Sequence, residues 1–96
     1  MPFFIRLANL TEQGSRQTKE LGQLLGKAKQ VMEANGAKIV QAYATLGRYD
    51  IVAIIEAPDS QTVAKISALI ASQGNFKAET LPAIPIQEFA QTVQGG

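Results

Sequence analysis

Ala37-Lys-Ile-Val-Gln-Ala-Tyr-Ala-Thr-Leu46, then Gly47-Arg48, then Tyr49-Asp-Ile-Val-Ala-Ile-Ile-Glu-Ala57 reads as a strand, a tight turn and a returning strand. Both arms are rich in β-branched and aromatic residues, and the glycine between them supplies the positive φ a hairpin turn needs. In the first arm Val40, Ala42, Ala44 and Leu46 share one side, with Ile39 and Tyr43 on the other. The core of the second arm, Ile51-Val-Ala-Ile-Ile55, is apolar on both faces, the pattern of a strand buried on two sides.

Before the hairpin, Phe3 to Leu10 alternates as a strand, with Phe3, Ile5 and Leu7 on one face and Phe4, Arg6 and Ala8 on the other. Thr11-Glu-Gln-Gly14 is a turn or short helical lead-in. From about Arg16 to Asn35 the apolar positions Leu21, Leu24, Leu25, Ala28, Val31 and Met32 form a helical stripe that ends at Gly36. Gly22 and Gly26 lie on one side of that helix and suggest a close backbone approach. After the hairpin, Asp59 caps a second helix carrying Val63, Ile66, Leu69 and Ile70 to its end at Gly74. A fourth strand runs from about Asn75 to Leu81. Pro82 and Pro85 leave the remainder as loop, a short helix at Ile86 to Val93, and a flexible tail from about residue 90 to 96.

The order β-α-β-β-α-β makes one α+β domain over residues 1–96, a ferredoxin-like plait with a four-stranded antiparallel sheet and two helices on one face. Two helices cover one face only, so the apolar residues of the other predict sheet-to-sheet pairing of two chains in a dimeric α/β barrel.

Composition removes several chemistries. The 96 residues include no cysteine and no histidine, so disulfides, zinc thiolates, iron–sulfur clusters and imidazole bases are absent. A net charge of +1 gives no footprint for nucleic acid or an anionic membrane. Scattered acidic residues predict no metal site, and no cofactor is expected. Met1-Pro-Phe-Phe-Ile-Arg6 does not read as a signal peptide, and a cytoplasmic protein is the expectation. Gly95-Gly96 matches the ending of ubiquitin-like carriers, but those folds open with a hairpin. Gly14, Gly22, Gly26 and Gly36 form no phosphate loop.

The run Thr45-Leu-Gly-Arg-Tyr-Asp-Ile-Val-Ala53 with Glu56-Ala-Pro-Asp59 strongly resembles the GYD domain family, named from Gly47, Tyr49 and Asp50 as they stand here. Leu10-Thr11-x-Gln13-Gly14, Gly74-x-Phe76 and Thr80-Leu-Pro-Ala83 fit the same pattern. The resemblance implies the ferredoxin-like plait, often dimeric, and no established activity. A fainter similarity is to the ligand-sensing domain of Lrp/AsnC-type regulators, without their helix-turn-helix.

Asp50 is expected to accept hydrogen bonds from turn amides, and Tyr49 to lie over the turn. Alternatively Arg48, Tyr49 and Asp50 rim a cleft between subunits, with Arg48 gripping a carboxylate or phosphate. Arg6 is neutralised by Glu56 or Glu79 across the sheet, or floors a ligand cavity inside the barrel. Tyr43 and Thr45 could supply hydroxyls to a pocket or pack in the interface. The leading expectation is a homo-oligomer binding a small metabolite at its subunit interfaces. A cofactor-free monooxygenase- or isomerase-like enzyme, with Tyr43, Glu56, Glu79 and Asp50 as candidate acids and bases, and a purely structural role stay open.

Overall fold

A computed structural model describes residues 1–95, leaving Gly96 outside the described residues. The chain runs through β1 (Phe3–Leu10), α1 (Glu12–Ser15), a 3-10 turn (Thr18–Glu20), α2 (Leu21–Ala34), β2 (Lys38–Ala44), β3 (Ile51–Glu56), α3 (Ser60–Ser72), β4 (Phe76–Ala83) and α4 (Ile86–Gly95). Neighbouring strands are antiparallel in the order β2-β3-β1-β4, the ferredoxin-like plait.

The core lies between one face of the sheet and helices α2 and α3. Leu24, Ala28 and Met32 of α2 and Val63, Ile66 and Ile70 of α3 meet Phe4, Ala8, Ile51, Ile55 and Phe76. Helical spacing of these side chains makes each helix a single apolar stripe against the sheet. Asp59 caps α3 as expected, its carboxylate accepting the Thr62 amide at 2.7 Å. The covered face is therefore that of Phe4, Arg6 and Ala8, leaving Phe3, Ile5 and Leu7 on the face without helices.

Four expectations need correction. The first long helix starts at Leu21 rather than near Arg16. Residues 11–20 are held elsewhere: the Thr11 hydroxyl donates to the Gly74 carbonyl and accepts the Gly14 amide, while the Thr11 amide donates to the Asn75 carbonyl. This segment is pinned to the turn after α3. The close backbone approach falls on Gly14, where a Cβ would collide with the Asn75 carbonyl, and not on Gly22 or Gly26, which face open space.

In β2, a bulge between Ile39 and Gln41 reverses the alternation. Ile39 pairs with buried Ile55, whereas Tyr43 pairs with Val52 on the opposite face, so the two do not share a side. Finally, β4 continues through Pro82 to Ala83, a proline permitted because β4 is an edge strand. The last helix, α4, has no buried residue.

Replacing Gly14 by Ala should cost about 1–3 kcal/mol, the range for forcing extra carbon into a packed site. Gly22→Ala and Gly26→Ala should each stabilise by about 0.5–1 kcal/mol through helix propensity. Urea unfolding of the three variants checks the opposite signs.

Candidate functional site

The β2–β3 connection spans Thr45 to Asp50, longer than a two-residue turn, with Gly47 at φ +102° and Leu46 fully exposed at its tip. It is closed by the Thr45 amide donating to the Asp50 carbonyl at 2.8 Å and by the Thr45 hydroxyl donating to the Tyr49 carbonyl at 2.6 Å. Its end is tied to β1. The Asp50 amide donates to Asn9 Oδ1 at 2.9 Å and to the Ala8 carbonyl at 3.0 Å, and Asp50 Oδ2 accepts the Leu10 amide at 2.9 Å. Asp50 thus completes the ladder of β1 where β3 has ended; its partner is a neighbouring strand's amide and not a turn amide. Asn9 was not singled out by sequence reasoning. A lone amide side chain among apolar strand positions was its only signal.

From this hairpin Tyr49 reaches over the end of β1, and its hydroxyl donates to Glu79 Oε2 on β4 at 3.1 Å. Tyr43, Val52, Leu7 and Glu79 form one row across all four strands on the face without helices. The next row is Gln41, Ile54, Ile5 and Leu81. The face is an apolar band bounded at one end by the Tyr49–Glu79 pair and at the other by Glu56, which pairs with Phe3. Tyr43 is 54% exposed and Leu81 41%. The C-terminal helix α4 carries Ile86, Phe89 and Val93, all exposed.

The seven residues named from the sequence therefore divide. Thr45, Tyr49, Asp50 and Glu79 come together, with Tyr43 on the same face. Arg48 is exposed in the hairpin and forms no ion pair among the described residues. Of the acid–base candidates, Asp50 is engaged by a backbone amide, and Glu56 and Glu79 stand two rows apart.

Arg6 lies on the opposite face, in the row Ala42, Ala53, Arg6 and Thr80. Neither Glu56 nor Glu79 can neutralise it across the sheet, because both project from the other side. It is 6% exposed and forms no ion pair among the described residues, and burial pulls its pKa below the ordinary arginine value. The space it faces lies between α2 and the sheet, rather than inside a barrel of two chains. Among the described residues no cluster of acidic side chains could hold a metal, and no helix is long and apolar enough to cross a membrane.

The family model of the GYD domain matches residues 4–93. A protein of Thermus thermophilus named glutamine synthetase and cystathionine beta-lyase binding protein is 38% identical over 89 residues, covering 92% of this chain and 94% of that protein. The crystal structure of FFRP-DM1 superposes with a TM-score of 0.58 at 20% identity, over 88% of this chain and all of that one. At that identity the likeness speaks for the fold.

Asp50→Ala leaves the Leu10 amide without its partner and should cost about 1 kcal/mol. Tyr49→Phe removes only an exposed hydroxyl contact and should stay within about 0.5 kcal/mol of the parent. Denaturant midpoints of the two variants measure the difference.

Proposed function

The chain belongs to the GYD domain family, and from that premise we propose that it is a self-associating binding protein of the cytoplasm that docks on a metabolic enzyme. The observation carrying this reading is the face without helices, where Phe3, Ile5, Leu7, Val52, Ile54 and Leu81 are left uncovered in one band. Water contact with such a band is unfavourable by about 25 cal/mol per Å², and pairing two of them face to face removes it. The exposed stripe of α4 adds to the surface that association covers.

Where two faces meet, Tyr43, Tyr49 and Glu79 border the band with two hydroxyls and a carboxylate. A small polar metabolite is held there, in the cleft between subunits. Docking on an enzyme rests on the Thermus thermophilus relative, whose name states that it binds glutamine synthetase and cystathionine beta-lyase. The enzyme partner of this chain is of the same kind, one handling amino acids.

Light scattering on the purified chain at micromolar concentration should give at least twice 10.3 kDa. Ile54→Glu places a carboxylate in the middle of the band and should reduce the mass to one chain while leaving the circular dichroism spectrum unchanged. A parent that scatters as a 10.3 kDa monomer overturns self-association. A dimer unaffected by Ile54→Glu moves the interface to another surface.

A further inference from the structure

Arg6 is the only charged side chain buried among the described residues. The face on which it stands has no acid to meet it: the residues that α2 and α3 bury there are Leu24, Ala28, Met32, Val63, Ile66 and Ile70. Its row neighbours on the sheet, Ala53 and Thr80, are small. Ala53, with Ala8 and Ala28, leaves a cavity of about 40 Å³ between α2 and the sheet, open on one side, with Arg6 in its wall. The rest of that wall is carbon, chiefly Leu25, Ile39, Met32 and Phe76. A guanidinium carries five N–H donors in a planar fork; here no acid or carbonyl among the described residues accepts from it, and its nitrogens keep some contact with solvent. The guanidinium nitrogens are not sealed off from solvent, so water meets them and an anion entering from the open side can take its place.

The chemistry of that acceptor follows from the lining. A phosphate dianion needs several donors and a polar surround, and this cavity offers one cation and hydrocarbon. A carboxylate carries one charge, and its two oxygens match the guanidinium fork. One water needs about 10–15 Å³ of such space, so the cavity has room for a carboxylate head and is too small for a sugar or base. We propose that this cavity binds a small aliphatic monocarboxylate, its head gripped by Arg6 and its short tail lying against Leu25, Ile39 and Phe76 towards the open side. The site sits within a single chain and does not depend on how subunits pair.

The full chain, labelled with nitrogen-15, is titrated with acetate through hexanoate at constant ionic strength, with butyramide and inorganic phosphate as controls. Melting temperature is followed in parallel. The expected result is a saturable movement of the Arg6 Nε–H resonance with butyrate, and a rise of several degrees in melting temperature at about 10 mM. Butyramide and phosphate should do neither. Arg6→Met removes the charge and Ala53→Val fills the space beside it, and both should abolish the thermal shift. Arg6→Met should be at least as stable as the parent without ligand, because it replaces a partly desolvated charge with a hydrocarbon side chain of similar length. No movement of Arg6 with any of the acids, an equal response to butyramide or phosphate, or a thermal shift that survives both substitutions overturns the proposal. The wild-type titration decides the matter even if a variant fails to fold.

Discussion

The structure depends on the position of β1 at the centre of the sheet, hydrogen-bonded to β3 on one side and β4 on the other. A strand has a period of two, so this one placement assigns every residue from Phe3 to Leu10 to a face and fixes the register of both neighbours. Phe4 and Ala8 go under the helices and bring Arg6 with them. Phe3, Ile5 and Leu7 go to the other face and leave it apolar. A shift of one residue would bury Ile5 and expose Arg6, so the placement of the arginine is a consequence of register.

The architecture was legible because its signals are local. The helical stripe from Leu21 to Met32, the Asp59 cap and the alternation of β1 each need only a few neighbouring residues to be read. The covered face was harder. By apolar content Phe3, Ile5 and Leu7 make a better core face than Phe4, Arg6 and Ala8, and no local rule says which set the helices will cover. That is why Glu56 and Glu79 looked like partners for Arg6. The bulge at Ile39/Gln41 was invisible for a related reason, since one extra residue in β2 leaves composition intact and only the pairing with β3 reveals it.

Contacts distant in sequence were the least legible. Gly14 touches the backbone of Asn75, a residue on the far side of both helices and the hairpin, and nothing near Gly14 forecasts it. Gly22 and Gly26 had the more suggestive spacing and meet nothing. Within the hairpin the sequence singled out the residues but not their partners. Thr45, Tyr49 and Asp50 bond within the turn or to the strand beside it. The Tyr49–Glu79 contact spans the sheet, and it joins two residues each singled out for a different reason.

Two unresolved features of the monomer lie on opposite sides of the sheet, and this separates their remedies. Stacking the open faces of two chains would cover Ile5, Leu7 and Ile54, but it would leave the layer containing Arg6 unchanged, because the sheet itself stands between them. The guanidinium is then met within its own chain, by the few waters the cavity can hold or by an anion entering from the open side. Water has no charge to offset the desolvation, whereas a carboxylate does, and its hydrogen bonds to a guanidinium are of the stronger, charge-assisted kind. The association proposed for the open face and the binding proposed at Arg6 are thus independent of each other, each tied to its face by the alternation of β1.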